Sequence, residues 1–282
     1  MAPLSDEQKR EFKRNGFLII RDAIDQDILE EWRELVWDRI PAAKDADSME
    51  YLGMEDQGFR EDLTWGPLEE VNEQTIEYVE DLLGEGNFQS AMEHTSMQHA
   101  IRFPDPYSKT EQPNDIQDNR DSGSGHIDGW GNGAYGKTIR GHSLARTFYL
   151  DRIEPRAAGF SLWPGSHWKA AEYWRSHDSL SLTDYRLAND HKQPFDPGEP
   201  FEITGDGGTM ILWHARMVHG SGVHHCLNPR MATFNRFRTN GYVENPPHTE
   251  DALSQPFKYW EGMDGIELDD FSRIRAPVFR SD

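Results

Sequence analysis

Two side chains that can bind a metal lie two residues apart in the segment Gly125-His126-Ile127-Asp128-Gly129. In an extended chain, residues i and i+2 point to the same side, so His126 and Asp128 can reach one point in space. A second histidine from a distant strand, for which His219 is the candidate, would place two nitrogens and one carboxylate on one side of an ion. This facial arrangement suits non-haem Fe(II) and leaves other positions of the ion open. The three side chains are therefore predicted to form a metal site.

A downstream arginine selects among the nearby histidines. Four of them occur close together: His214, His219, His224 and His225. Arg230 follows His219 by 230 − 219 = 11 residues, a spacing that lets a strand, a turn and a strand carry both side chains into one barrel. A guanidinium is a rigid fork that matches a carboxylate, and Ser221 can add a hydroxyl donor. A keto acid that chelates iron through its C1 carboxylate and keto oxygen needs such an anchor for its distal carboxylate.

The other basic side chains of this region are interpreted as structural. His214 is expected in the barrel wall, with a role as metal ligand as the alternative. His224 and His225 are expected in a turn, with side chains that face the site as the alternative. Arg236 and Arg238 lie on one face of a regular strand. We interpret these two arginines as salt-bridged edge residues, with contact to an anionic substrate as the alternative.

Composition and charge disfavour several classes of partner. The 282 residues include 29 basic and 50 acidic side chains, and the formal net charge of −21 disfavours nucleic acid and anionic membranes. No run approaches the roughly 20 apolar residues of a membrane-spanning helix. The single cysteine, Cys226, excludes an internal disulfide and favours a reducing compartment. We expect a cytoplasmic protein that acts on a small molecule, and no oligomeric state is favoured.

The N-terminal part of the chain is predicted to be mainly helical. A capping box that begins at Ser5 and a glycine at position 16 bound a short helix. The apolar run 17–20 is typical of a buried strand. Apolar positions then recur at helical spacing over 25–40, and a third helix is expected over 67–84.

After residue 86 the hydrophobic pattern changes to a period of two, which is typical of strands. Strands are predicted at 97–103, 143–150, 159–163, 201–203, 208–213, 215–219 and 230–239, with a helix at 167–177. Short strands with many Gly and Pro turns favour a mainly β fold, an antiparallel sandwich or barrel with helical cover. Such a barrel can enclose one small ligand near its mouth.

One domain is expected to include the whole chain, residues 1–282, because no internal repeat or linker divides it. Its parts would be an N-terminal helical cover over about 1–95, a β core over about 96–240 and an irregular tail over 241–282.

Two segments beside the predicted metal site have no clear secondary structure. The polar segment 104–125 is either a lid over the site or an acidic surface loop. The glycine-rich segment 129–141 lacks the pattern of a phosphate-binding loop and is interpreted as a mobile loop beside the site.

Several motifs taken together resemble one protein family. They are His126-x-Asp128, Pro164-Gly165-Ser166-His167, Gly205-Asp206, Trp213-His214, His219-Gly220-Ser221-Gly222 and Arg230, preceded by Leu4-Ser5-Asp6-Glu7-Gln8, Phe12 and Asn15-Gly16-Phe17-Leu18-Ile19-Ile20. Over roughly residues 4 to 240 the chain resembles the phytanoyl-CoA dioxygenase family of Fe(II)- and 2-oxoglutarate-dependent oxygenases. The resemblance implies a double-stranded β-helix, which is a squashed antiparallel barrel of the jelly-roll kind with helices against one side.

The resemblance also implies roles for individual residues. The Fe(II) ligands would be His126, Asp128 and His219. The residues that hold the cosubstrate 2-oxoglutarate would be Arg230 and Ser221. Members often have Gln in place of Ile127 and Asn in place of His224, so the cosubstrate contacts near C1 differ in this chain. The candidates for the C1 carboxylate are Thr147 and Arg146 on the next predicted strand.

The aspartate bears on the expected reaction. Halogenating relatives lose that carboxylate to make room for a halide, so Asp128 implies hydroxylation of a small molecule by O₂, with decarboxylation of 2-oxoglutarate to succinate. Two alternatives belong to other classes of protein: a Zn²⁺-dependent hydrolase or isomerase that uses three of the clustered histidines, and a non-catalytic ligand-binding barrel. Zinc chemistry would not need Arg230, and a binding module would not need an intact metal triad.

Overall fold

The structure is a computed structural model that describes residues 3–90, 96–105, 125–128, 141–176, 194–245 and 255–268. Its described helices are α1 (Asp6–Asn15), α2 (Gln26–Arg39), α3 (Pro41–Lys44), α4 (Leu68–Leu83), α5 (Ser166–Ser176) and α6 (Asn240–Glu244), with a 3-10 helix at Glu261–Met263. The segments 104–125 and 129–141, for which a lid and a mobile loop were predicted, fall almost wholly outside the described residues.

The three long N-terminal helices form where the sequence predicts them. Ser5 caps α1 through a reciprocal capping box with Gln8, and Gly16 ends the helix at a φ of 87°, which glycine adopts without strain. Apolar residues of α1, α2 and α4 pack on one face of the larger of two sheets. None of the helices in the described ranges has the length and apolar character that crossing a bilayer requires.

The described strands form two antiparallel sheets. They are β1 (Phe17–Ile20), β2 (Gln57–Asp62), β3 (Phe88–Ser90), β4 (Ser96–Arg102), β5 (Leu144–Tyr149), β6 (Phe160–Leu162), β7 (Phe201–Glu202), β8 (Met210–His214), β9 (His219–Ser221) and β10 (Arg230–Thr239). The larger sheet has the order β1-β8-β5-β10-β4-β2, with β3 also beside β10, and the smaller has the order β7-β6-β9. This mainly β architecture with helices against one sheet is the predicted double-stranded β-helix.

Alternation along the strands separates two buried layers. On β5, Leu144 packs against the helices, whereas Ala145 belongs to the layer that the two sheets enclose. On β10, Ala232 belongs to the enclosed layer. Arg230 and Arg236 are two and four residues from Ala232. Side chains an even number of residues apart share a face, so both arginines lie on the inner face of β10.

The strand prediction for 215–219 is wrong over its first four residues. Residues 215–218 form a turn in which the backbone N–H of Met217 donates to the carbonyl of His214 (3.0 Å). The N–H of Val218 donates to Ser166 Oγ on α5 (2.9 Å). This acceptor lies 52 residues earlier in the chain, so the local pattern could not reveal the turn. In the region 1–95, expected as helical cover, β1 forms at the predicted strand 17–20, and β2 and β3, which were not predicted, also join the larger sheet.

A buried hydrogen bond joins the helical cover to the larger sheet. Trp32 Nε1 on α2 donates to His99 Nε2 on β4 (2.9 Å), and the His99 ring stacks on Phe59 of β2 with centroids 4.6 Å apart. Burial, with a smaller effect of the Arg39 charge, lowers the pKa of His99 to about 3. His99 is therefore neutral at pH 7, and its Nε2 can accept the hydrogen bond.

We expect this histidine to make the fold acid-sensitive. The unfolded chain binds the His99 proton near the ordinary pKa of 6.5, whereas the folded chain resists it until about pH 3. Stability is therefore lost as the pH falls below 6.5, and His99 alone accounts for about 2 kcal/mol between pH 6.5 and 4.5. His99→Gln keeps an acceptor for Trp32 but does not titrate. Denaturant unfolding at the two pH values should show that the variant loses less unfolding free energy than the unmodified protein. Equal losses would show that His99 is not the cause of the acid sensitivity.

Candidate metal centre

A short backbone ladder brings the three predicted metal ligands together. His126 and His219 form an isolated antiparallel bridge, in which each N–H donates to the carbonyl of the other (2.8 and 2.9 Å). Asp128 Oδ1 lies 3.4 Å from His126 Nε2 and 3.6 Å from His219 Nε2. One potential ligand atom from each residue lies within 4.8 Å of the other two. The group can therefore hold one metal ion with two nitrogens and one oxygen.

The His219 ring is fixed in the tautomer that a metal requires. Its Nδ1 lies 3.0 Å from the Met217 carbonyl, an acceptor, so Nδ1 carries a proton, and loss of the proton on Nε2 leaves the lone pair of that nitrogen for a metal. The ring is buried against Trp213 and Phe160, with centroid distances of 4.4 and 5.7 Å. Burial lowers the pKa of His219, although the contact with Asp128 opposes this effect.

The Asp128 carboxylate has different partners at its two oxygens. Oδ1 faces the two histidines, whereas Oδ2 accepts hydrogen bonds from Arg236 Nε (3.3 Å) and Nη2 (3.2 Å). Burial by itself would raise the pKa of Asp128, but hydrogen bonds from the imidazole N–H groups of His126 and His219, together with the positive charge of a protonated His219 ring, hold it well below its usual range. The carboxylate is therefore ionised and available to a cation. The sequence predicts a salt bridge for Arg236, but nothing in the local pattern identifies Asp128 as its partner.

Arg230 is a buried cation with unused donors. Only 3% of the residue is exposed, and its Nε and Nη1 have no hydrogen-bond partner in the described part of the chain. Burial lowers its pKa to about 10, so the guanidinium is still charged at pH 7. A buried charge without partners is costly, and proteins rarely retain one without a reason. These free N–H groups fit an anion supplied by a ligand.

Ser221 is held near this arginine's strand. Arg102, whose Cα is the cross-strand partner of Arg230, donates from Nη1 to Ser221 Oγ (2.6 Å) and from Nε to Asp56 (3.1 Å). Because the Ser221 oxygen accepts from Arg102, its own hydroxyl proton can be donated elsewhere. Both residues that the sequence assigns to a dicarboxylate therefore have donors to offer.

His224 is buried, although the sequence predicts a turn residue. Its backbone N–H donates to Asp105 Oδ2 (3.1 Å), and it forms a β-bridge with Ala157. Neither ring nitrogen has a partner among the described residues. Burial, followed by the charges of Arg230 and Arg102, lowers the pKa of His224 to about 4. This neutral ring therefore has two polar atoms that a ligand can satisfy.

The two candidates for the C1 carboxylate lie on opposite faces of β5. Thr147 is buried and its Oγ1 accepts from Trp213 Nε1 (2.9 Å), the indole that packs on His219. Arg146 points to the helices, where it donates to Thr75 Oγ1 (2.7 Å) and Asn72 Oδ1 (2.8 Å). Because Arg146 points away from the layer that the two sheets enclose, its assignment to the C1 carboxylate is wrong. The assignment of Thr147 stays a prediction.

His214 belongs to the barrel wall, as the sequence predicts. Its Nε2 lies 2.7 Å from the Pro256 carbonyl, its Nδ1 accepts from the Arg216 N–H (3.0 Å), and its ring stacks on Trp260. Among the described residues, His219 is the one member of the downstream histidine cluster in the metal group. The zinc alternative requires three of them to converge, so the structure does not support it.

We expect metal binding to distinguish His219 from His214. Replacing His219 with Ala removes one of three ligands, so Co²⁺ binding measured by titration calorimetry should become undetectable. His214→Ala should keep the affinity of the unmodified protein, although loss of ring packing should lower its melting temperature. Retained binding in His219→Ala, or lost binding in a folded His214→Ala, would show that the wrong histidine was assigned.

Both the sequence and the fold match those of known proteins. The family model for phytanoyl-CoA dioxygenase (PhyH) matches residues 12–232. Similar solved structures include EctD from S. alaskensis with bound Fe, at 17% identity and a TM-score of 0.54, covering 84% of this chain and 78% of that chain.

Two further structures come from Streptomyces species. HygX from Streptomyces hygroscopicus with nickel and 2-oxoglutarate bound has 14% identity and a TM-score of 0.53, covering 84% of this chain and 88% of that chain. AviO1 from Streptomyces viridochromogenes Tue57 has 16% identity and a TM-score of 0.51, covering 88% of this chain and 100% of that chain. No curated protein matched the sequence. At these identities the structures show a shared fold, and the family match covers most of the chain: the protein belongs to the phytanoyl-CoA dioxygenase (PhyH) family.

Proposed function

We propose that this protein is an Fe(II)- and 2-oxoglutarate-dependent dioxygenase that hydroxylates a small molecule. The observation that carries the proposal is Arg230, a buried guanidinium whose Nε and Nη1 atoms have no partner among the described residues, in a barrel that also holds a two-histidine, one-carboxylate group. A metal site alone needs no such cation. A keto acid bound to the metal at one end needs a counter-charge at the other.

The proposed roles follow from the atoms that each side chain can offer to the metal or to 2-oxoglutarate. His126, Asp128 and His219 would hold Fe(II), and Arg230 with Ser221 would hold the distal carboxylate of 2-oxoglutarate. When bound, the iron and its cosubstrate supply the oxidation, in which O₂ is reduced, 2-oxoglutarate loses CO₂ to become succinate, and one oxygen atom enters the substrate. Among the similar proteins, EctD was solved with bound Fe, and HygX was solved with nickel and 2-oxoglutarate bound.

The chain's own residues prepare this site. The Met217 carbonyl holds the His219 proton on Nδ1, which keeps Nε2 free for a metal. Trp213 and Phe160 surround His219 with apolar rings, which limits water beside the ligand. Thr147 fixes the Trp213 indole and has its hydroxyl proton left for an acceptor such as the C1 carboxylate.

Hydroxylation is the outcome that the ligand set favours. The carboxylate of Asp128 is present and oriented toward both histidines, so the place that a halide takes in halogenating relatives is occupied. A small molecule is the proposed substrate class. EctD from S. alaskensis, a similar protein, was solved with 2-oxoglutarate and the small molecule 5-hydroxyectoine.

Succinate formation tests the proposed function. Protein loaded with Fe(II) under anaerobic conditions and then given 2-oxoglutarate, O₂ and a panel of metabolites should form succinate, and a true substrate should stimulate it. Arg230→Met should weaken 2-oxoglutarate binding about 100-fold, because it removes charge-assisted hydrogen bonds of about 1.5 kcal/mol or more each. Calorimetry in the presence of Co²⁺ measures this loss without turnover.

A matched control is Arg152→Met, which removes an arginine whose side chain is 70% exposed. This variant should bind 2-oxoglutarate as the unmodified protein does. If the unmodified protein binds Fe(II) but neither binds 2-oxoglutarate nor forms succinate, the proposed function is wrong. Equal 2-oxoglutarate affinity in Arg230→Met would reject the proposed role of that residue.

A further inference from the structure

We infer that Arg236, held in place by Gln98, is a positioning residue that makes Asp128 bind the metal through one oxygen. The inference rests on the proposed function, because it assumes a metal at His126, Asp128 and His219. A carboxylate can bind a cation through one or both oxygens. The choice matters here, because a position on the ion that a second Asp128 oxygen occupied would be lost to the keto acid or to O₂.

The two oxygens of Asp128 are already differentiated. Oδ1 is 3.4 and 3.6 Å from the Nε2 atoms of His126 and His219. Both Nε and Nη2 of Arg236 converge on Oδ2, at 3.3 and 3.2 Å. With Oδ2 engaged by the guanidinium, Oδ1 is the oxygen presented to the ion.

Arg236 is itself anchored from a second strand. It extends from the inner face of β10, and its Nη1 donates to Gln98 Oε1 on β4 (2.9 Å). Its guanidinium also lies 5.8 Å from the centre of the Phe234 ring. One contact with the neighbouring strand β4 and one within β10 therefore limit rotation of the guanidinium, and partners of this kind orient metal ligands before the ion binds.

The charge of Arg236 argues for orientation rather than for added metal affinity. A guanidinium next to a metal ligand repels a dication, so by Coulomb's law it opposes binding. The contact between Arg236 and Asp128 is explained if it fixes the carboxylate so that a single oxygen is available to the metal. Arg238 offers a comparison, because it lies two residues further along the same face of β10 and donates from Nε to the Gly141 carbonyl. No contact between Arg238 and Asp128 occurs in the described residues.

The test uses the Co²⁺-loaded protein, whose visible absorption reports the number and type of ligands. Arg236→Met frees Oδ2, so the absorption spectrum should change. The affinity for 2-oxoglutarate should fall by about tenfold or more, because the second oxygen competes for a position that the keto acid needs. Gln98→Leu keeps the arginine but removes its anchor. It should change the spectrum and the affinity for 2-oxoglutarate in the same direction as Arg236→Met, but to a smaller extent. Arg238→Met is the matched control and should leave both unchanged.

The outcomes separate this inference from the proposed function. If the unmodified protein does not bind Co²⁺ and 2-oxoglutarate, the proposed function fails and the inference fails with it. If the unmodified protein binds both and a folded Arg236→Met has the same spectrum and 2-oxoglutarate affinity, the inference alone is overturned. Should Arg236→Met fail to fold, as judged by circular dichroism, Gln98→Leu decides, and an unchanged spectrum in that variant also overturns the inference.

Discussion

The pair of backbone hydrogen bonds between His126 and His219 is the contact on which the candidate site depends. It joins a segment of four described residues, 125–128, to β9 of the smaller sheet, although the two histidines are far apart in sequence. Because His126 and Asp128 are two residues apart in an extended segment, the bridge also aims the carboxylate at His219. The side-chain geometry of the triad follows from this short backbone ladder.

The rest of the barrel can be understood as support for this contact and for one buried charge. The turn at 215–218 provides the carbonyl that fixes the His219 tautomer, and α5 holds that turn through Ser166. β10 carries Arg230 at one end of its inner face and Arg236 further along it. The fold thus retains a costly buried cation, Arg230, which is consistent with a site that becomes fully paired only when an anion is bound.

The sequence predicted much of the fold and site because these features depend on local spacing. The capping box of α1, the helical periodicity of α2 and α4, and the period-two pattern of β10 are all properties of contiguous residues. The i, i+2 relation of His126 and Asp128 is equally local. The choice of His219 over its neighbours depended on its distance from Arg230 and on the family resemblance.

The features that the sequence did not reveal depend on contacts between distant segments. Arg236 contacts Asp128 across 108 positions, and Arg146 contacts Thr75 on α4 across 71 positions. Successive side chains of a strand point to opposite faces of the sheet. Arg146 and Thr147 are adjacent in sequence and therefore have different environments. Burial of His224 likewise depends on its bridge to Ala157, which no local pattern indicates.

In the proposed enzyme, one site holds both the metal and a keto acid. The most direct measurement is an anaerobic titration of the protein with Fe(II) and 2-oxoglutarate, followed by visible absorption. A metal-to-keto-acid charge-transfer band should appear, saturate at one equivalent of Fe(II) and disappear when His219 is replaced by Ala. Binding of Fe(II) and 2-oxoglutarate without this band would place them at separate sites and would show that the protein has no shared site for the two.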